Sequence, residues 1–365
     1  MMYFTLYVFS HRASRNCHSP LGPPSQRRTK PSKQQSNSQQ PASARRHRHA
    51  PSGPPLRCLC PLLEASPASR EEMDCCRHVN PFRACSGLRG LGYLMVALVA
   101  AIVAVSYYAV VVYAWGPMLL AGGAAAAGAA AVIAAFHILL AMILWCYLMA
   151  VFTDPGAVPE NWRHDAEDSG NPSFSSSDEQ ESAPRYCSRC QNGKPPRCHH
   201  CSVCNRCVLK MDHHCIWVVN CVGARNYKYF LLFLVYTFIE TVLDTLVLLP
   251  NFIEFFQDEH RRSSSPGDIA ILFLAFVLNL AFALSLLCFI GMHASLVTRN
   301  TTSIEVYERK KSVSWKYDLG WKRNLEQVFG TKKLLWFVPL YSTEDLHNIP
   351  ALRGLEFPTR SDAIV

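Results

Sequence analysis

The stretch KMDHHCIWVVNC, Lys210 to Cys221, sets an acid, two histidines and a cysteine in a row and ends on a second cysteine. Residues of these types do two kinds of chemistry. Thiolate and imidazole are zinc ligands that close a tetrahedron. A thiol beside a histidine that a carboxylate orients is an activated nucleophile. A free thiol titrates near pH ~8.5 and is mostly protonated at neutral pH, so Cys215 needs a base of the kind Asp212-His213 supplies. The metal reading gains weight upstream. Between Cys187 and Cys221 lie eight of the 16 cysteines and four histidines, with three Cys-x-x-Cys steps: Cys187/Cys190, Cys201/Cys204 and Cys204/Cys207. Twelve donors exceed one tetrahedral site, whereas two sites need eight, so two zinc ions are expected. Spacing alone does not choose the eight. It also leaves open a structural zinc module that binds a partner without chemistry.

The elements that must position this cluster are apolar. Half of the 365 residues are hydrophobic and 17% are charged, against about 25% charged in soluble domains. Four blocks approach or exceed the roughly 20 residues that cross a bilayer as a helix: about Leu91–Ala114, Gly128–Phe152, Phe230–Leu249 and Ile269–Ile290. Nearly free of Lys and Arg, they read as four membrane spans rather than core helices of a soluble protein. Fourteen Lys and Arg precede span one, nine lie between spans two and three and 11 follow span four, but the two short connectors hold none and two. Cationic segments stay cytosolic, so both termini and the cysteine cluster are expected in the cytosol. The net charge of +9 then calls for anionic lipid and no nucleic acid. In the reducing cytosol, metal binding or catalysis outranks disulfides.

Residues 1–72 are rich in Ser, Pro, Gln and Arg, with no acid before Glu64. They read as a disordered extension, with a transit peptide or translation starting at Met73 as alternatives. Residues 73–152 form a cytosolic lead and spans one and two; Cys75, Cys76 and Cys85 in the lead are candidates for palmitoylation. Residues 153–186 hold the Asp154-Pro155-Gly156 turn and a Ser-rich acidic linker. Residues 187–229 are the zinc domain, 230–291 spans three and four, and 292–365 a cytosolic tail. The tail carries the amphipathic, aromatic WKYDLGWKRNLEQVFG, suited to the membrane interface or the cysteine domain.

The segment resembles the cysteine-rich domain of the DHHC family of protein S-acyltransferases (palmitoyltransferases). The resemblance runs through Cys187, Cys190, Lys194, Pro195, Arg197, His200, Cys201, Cys204 and Cys207. It continues through Asp212-His213-His214-Cys215 and closes at Cys221, Asn226 and Phe230. Asp154-Pro155-Gly156 is similar to the family's DPG motif, Thr302-Ser303-Ile304-Glu305 to its TTxE motif with serine for the second threonine, and Asn324 to the asparagine of its C-terminal motif. The likeness covers about residues 88–342, and its wording is most similar to plant members.

The resemblance implies an all-α polytopic membrane protein of four transmembrane helices, with a two-zinc cytosolic domain between spans two and three. It implies one zinc on Cys187, Cys190, His200 and Cys207, and another on Cys201, Cys204, His214 and Cys221. Cys215 becomes the nucleophile, His213 its base and Asp212 the residue that orients the base. It implies a palmitoyl group moving from palmitoyl-CoA through an acyl-Cys215 thioester to cytosolic cysteines of membrane-associated proteins, with ping-pong kinetics. The acyl chain is expected among the spans, Trp217 at its mouth and Ser106 at its far end. Golgi, endoplasmic reticulum and plasma membrane all fit.

Some positions depart from the pattern or stand outside it. Ile216 replaces a proline common in the family, which predicts a slightly looser turn. Cys198 and His199 are surplus, and Cys198 reads as a spare surface thiol. Glu240 lies mid-span with Asp244 one turn on. Such an acid faces the bundle interior and is expected either to hydrogen-bond another span or to cap the acyl cavity. Asn279 is expected to bond between helices, and His137 and His293 to be packing or interface residues.

Overall fold

A computed structural model describes residues 86–162, 185–257, 265–308, 315–360 and 362. The N-terminal extension, the alternative start, Cys75, Cys76, Cys85 and most of the acidic linker lie outside the described residues.

Helix α1, Ser86–Tyr107, continues through a π-helical stretch, Tyr108–Trp115, and a 3-10 turn, Pro117–Ala121. Helix α2 is Gly123–Phe152, α3 Tyr227–Gln257 and α4 Pro266–Thr298. Four helical segments, Leu94–Ala121, Gly123–Phe152, Tyr227–Phe256 and Pro266–Thr298, are long and apolar enough to cross a membrane. At 1.5 Å rise per residue, their 28 to 33 residues exceed the roughly 30 Å hydrocarbon core. They outrun the apolar blocks because helical hydrogen bonding does not stop where hydropathy falls. Helix α3 runs through Pro250, where the sequence reading ended the span. Span one is not a plain helix: the widened π turn holds Tyr108, whose hydroxyl donates to Asp268 Oδ1 at 2.7 Å at the start of α4.

Polar residues tie the helices together inside the bundle. Asn279 on α4 donates to Ser106 Oγ on α1 at 2.9 Å, the interhelical bond expected of it. Glu240 and Asp244 are buried, 6% and 0% exposed. The hydrogen bond expected from Glu240 to another span is absent: neither carboxylate oxygen has a partner among the described residues.

The segment between α2 and α3 makes three antiparallel hairpins. Strands β1 (Tyr186–Cys187) and β2 (Asn192–Gly193) form the first, β3 (His199–Cys201) and β4 (Arg206–Val208) the second, β5 (His213–Cys215) and β6 (Asn220–Val222) the third. Their turns place Gln191, Asn205 and Val219 at φ 50°, 53° and 51°, a strained choice for the β-branched Val219. The helix end before them is built into the domain. Asn220 Nδ2 donates to the carbonyls of Ala150, Val151 and Thr153 at 3.2, 3.1 and 3.0 Å, covering acceptors that a helix C-terminus leaves open. Asp154-Pro155-Gly156 does more than stop the helix. Asp154 pairs with Arg206 at 2.6 Å, and the Pro155 and Gly156 carbonyls accept from Arg225 and Leu209. Gly156 sits at φ 119°, and a Cβ on Gly223 would lie 2.7 Å from the Pro155 oxygen, so this close approach requires glycine at both places.

Short helices follow α4: α5 (Ser303–Glu308), α6 (Trp321–Phe329), α7 (Thr343–Asn348) and α8 (Pro350–Arg353). Asn324, fully buried, donates to the Thr298 carbonyl and to Asp318 at 2.7 Å each, fastening α6 to the end of α4.

Candidate active site and metal centres

Pairing within the hairpins brings the metal donors together. In the second hairpin His200 faces Cys207, and in the third His214 faces Cys221. Cys187, Cys190, His200 and Cys207 have donor atoms within 4.8 Å of one another, and so do Cys201, Cys204, His214 and Cys221. His200 Nδ1 lies 3.6, 3.2 and 3.9 Å from the sulfurs of Cys187, Cys190 and Cys207. His214 Nδ1 lies 3.8, 3.3 and 3.6 Å from those of Cys201, Cys204 and Cys221. Zinc bonds of about 2.3 Å to sulfur and 2.0–2.1 Å to nitrogen span edges of roughly this length in a tetrahedron. Both sets fit zinc.

The hairpins expose a period in the sequence that spacing alone does not announce. Cys187, Cys201 and Cys215 recur every 14 residues, as do Cys190, Cys204 and Val218. Each metal set takes a Cys-x-x-Cys from one hairpin and a His and a Cys from the next. The third hairpin has Val218 where a knuckle cysteine would stand, so Cys215 is the one thiol of the repeat that neither set recruits. The backbone N–H groups of Val218 and Trp217 favour charge on its sulfur, at the place in the repeat where Cys204 N donates to Cys201 Sγ at 3.3 Å.

Around Cys215 the groups are closely held. Asp212 Oδ2 accepts from His213 Nδ1 at 2.7 Å, and Cys215 acts on the same imidazole. The Ser303 N–H donates to Asp212 Oδ1 at 2.8 Å, and its hydroxyl lies 2.7 Å from the Asp212 carbonyl. Serine in place of threonine thus keeps the hydroxyl this contact uses. Burial opposes the charge on Asp212, but the His213 bond and charge hold its carboxyl down at about 2. Burial also opposes the His213 cation and is outweighed by bonds to Asp212 and Cys215, which raise it to about 10. Cys215 is pushed up by burial and brought below its ordinary value by His213 and the two backbone N–H groups. Each of the two groups thus favours the other's charged form.

Cys215 packs with Tyr147 and Ala150 of α2 and Phe230 of α3, at the junction of the hairpins and the helix ends. The Trp217 carbonyl accepts from Tyr147 Oη at 3.1 Å, and its ring meets Phe282 edge-on at 6.3 Å. An apolar groove of about 640 Å³ lies between α1 and α2, lined among others by Val99, Val103, Tyr107, Leu144 and Tyr147. Trp217, Ser106 and Glu240 are not among its lining residues.

Other expectations change. Cys198 is no surface thiol: it is 0% exposed and packs against Cys187, Cys207 and Leu209. The third hairpin, whose turn carries Ile216, pairs Cys215 with Asn220. His293 is indeed a packed residue, yet it lies against the site: its ring centroid is 6.0 Å from that of His213, and Tyr227 Oη is 3.0 Å from its Nδ1. The pairing of Arg197 with the tail was also missed. Arg197 Nε and Nη2 donate to the Glu305 carboxylate at 2.7 Å each, and Nη1 donates to Asn300 Oδ1 at 2.9 Å. Its guanidinium lies 4.8 and 4.9 Å from the ring centroids of Tyr317 and Phe357. Burial opposes the Glu305 charge, and Arg197 overcomes it to hold the carboxyl below its usual range. Replacing Glu305 with alanine strands this buried cation. The expected loss is about 3–5 kcal/mol of stability, read as a lowered unfolding temperature in detergent.

Residues 180–310 match the family described as DHHC palmitoyltransferase. Relatives include "Probable protein S-acyltransferase 12" of Arabidopsis thaliana, 61% identical over 288 residues, covering 78% of this chain and 99% of that protein. "Probable protein S-acyltransferase 14" of the same plant is 55% identical, covering 78% and 95%. "Palmitoyltransferase ZDHHC15" of Xenopus laevis is 35% identical, covering 73% and 84%.

Proposed function

The chain belongs to the DHHC palmitoyltransferase family, and on that premise we propose that it is a protein S-acyltransferase working through Cys215. The observation that carries this reading is the alignment of Asp212, His213 and Cys215 at the ends of apolar helices. The Cys215 thiolate attacks the thioester carbonyl of palmitoyl-CoA, and the C–S bond to CoA breaks. His213 gives its proton to the departing CoA thiolate, leaving an acyl-Cys215 thioester and a neutral imidazole. A cysteine thiol of a membrane-associated protein then attacks, giving its proton to His213, and Cys215 returns as thiolate. Two half-reactions with a covalent intermediate give ping-pong kinetics.

Asp212 keeps His213 in the tautomer and orientation this transfer needs, and Ser303 holds Asp212. The backbone N–H groups of Trp217 and Val218 stabilise charge on the sulfur at both ends of the cycle. Cys187, Cys190, His200 and Cys207 would hold one zinc, and Cys201, Cys204, His214 and Cys221 the other; the metals supply cross-links that fix the hairpins. Lys and Arg placement supports cytosolic termini, which puts Cys215 on the side where acyl-CoA is found, in Golgi, endoplasmic reticulum or plasma membrane.

The test is autoacylation. The purified zinc-loaded protein, incubated with a labelled palmitoyl-CoA analogue, is expected to take up label that hydroxylamine releases and that Cys215→Ser abolishes at equal zinc content. No label on the folded parent would favour a membrane scaffold with a partner-binding zinc domain. The acyl chain is assigned to the space among the spans, with Trp217 at its mouth and Ser106 and Glu240 deeper. Glu240→Ala removes a buried, unpaired acid and is expected to shift acyl preference toward longer chains in a competition between C14, C16 and C18 acyl-CoA. An unchanged preference would leave Glu240 outside the acyl path.

A further inference from the structure

We infer that Asp212, His213 and His293 form a third metal site, distinct from the two Cys/His sets, that takes a zinc ion reversibly. One donor atom from each of the three lies within 4.8 Å of the others. Asp212 and His293 are 2% and 1% exposed, while the His213 side chain is 19% exposed and gives a way in. Two imidazoles and a carboxylate suit zinc, whereas Mg²⁺ and Ca²⁺ favour all-oxygen shells.

The independent mark is His293 Nε2, which is buried with no hydrogen-bond partner among the described residues. Buried polar atoms are rarely left so. Its other nitrogen, Nδ1, is held by Tyr227 Oη at 3.0 Å. With the proton on Nδ1 and directed at the hydroxyl oxygen, Nε2 is left with a bare lone pair. A histidine fixed at one nitrogen by an outer partner and free at the other is the usual form of a metal ligand. Asp212 is fixed in the same way by Ser303.

A cation here competes with the proton that His213 Nδ1 shares with Asp212 Oδ2 at 2.7 Å. Zinc binds the carboxylate oxygen and the nitrogen, and that proton leaves to solvent. The bond that orients His213 is then broken, so occupancy slows acylation. This last consequence rests on the proposed role of His213; the binding itself does not.

The experiment titrates the two-zinc protein in detergent with buffered free Zn²⁺, measuring bound metal by elemental analysis and autoacylation in parallel. A third equivalent is expected, binding as autoacylation falls, with Mg²⁺ without effect. His293→Leu should keep two zincs and lose the third along with the inhibition. Tyr227→Phe, which keeps the ring, should weaken the third equivalent about 10- to 100-fold, as removal of an outer-shell partner does; it serves as the deciding variant if His293→Leu fails to hold two zincs. Cys215→Ser should bind the third equivalent like the parent. No third equivalent at millimolar free zinc, its persistence in His293→Leu, or its loss in Cys215→Ser, which would mark a simple Cys215–His213 chelate, each overturns the site. A third equivalent on a parent that never autoacylates upholds the site and rejects the transferase reading instead.

Discussion

His213→Ala is expected to lower the rate of autoacylation by about 10²–10⁴-fold, the usual span for a lost general acid–base group, with both Cys/His metal sets retained. The cause is electrostatic. In the parent His213, raised to about 10, brings the Cys215 thiol below its ordinary value. Without it, burial pushes the thiol up and the two backbone N–H groups remain the only compensation. Alkylation of Cys215 by iodoacetamide reads this directly. In the parent the rate should persist to lower pH than in His213→Ala, where it should fall about tenfold per pH unit, following the thiolate fraction. A parallel pH profile in both would mean that His213 does not set the state of the sulfur.

The same pair couples folding to pH with signs that can be worked out. His213 rises in the folded protein from 6.5 to about 10, so its contribution to stability is complete below pH 6.5 and is lost as pH climbs through 10. Asp212 falls from 3.8 to about 2, so its contribution is complete above pH 3.8 and is lost as pH drops through 2. Both are fully present only between pH 3.8 and 6.5, and Asp212→Asn should flatten the profile at both ends, since His213 owes much of its rise to Asp212.

The second large effect concerns the metals. His214→Ala is expected to reduce zinc content from two to one and to abolish autoacylation, because it releases the hairpin that carries Cys215. Cys190→Ala is also expected to remove one zinc, but the hairpin it frees is the first, whose strands bear no part of the Asp212–His213–Cys215 group. Autoacylation should then persist at a reduced rate. Structural zinc contributes about 10–16 kcal/mol of folding free energy in small metal-folded peptides, so loss of both metals by chelation should unfold the hairpins outright. Elemental analysis and the labelling assay check each variant. Loss of both zincs in Cys190→Ala would show that the hairpins do not separate.

The comparison of sequence with structure divides by distance along the chain. Features written in consecutive residues were legible: the four apolar spans, the donors of both metal sets, and Asp212 beside His213. The ligand partition came from family likeness, and its physical basis, the 14-residue period from Cys187 to Cys215, lay in plain view but needed the hairpins to show which positions correspond. Contacts between remote residues were not legible. Arg197 and Glu305 are 108 positions apart, and nothing local announces that their charges meet under aromatic rings. His293 sits 80 positions past His213, alone at the end of an apolar helix, where one histidine carries no pattern. Cys198 was misjudged because a polar neighbourhood in sequence does not report the packing of strands, which closes over it.

The hairpin array behaves as a ladder in which every rung needs two neighbouring steps. Three steps make two rungs, and the last step always ends with a grip that nothing fills. Adding another step, with Val218→Cys to complete the grip, would capture Cys215, and removing one would leave the sulfur-bearing step unheld. Reactivity at the end of such a row is therefore a matter of counting: a structural repeat yields one unengaged sulfur by stopping, and Val218 marks where it stops.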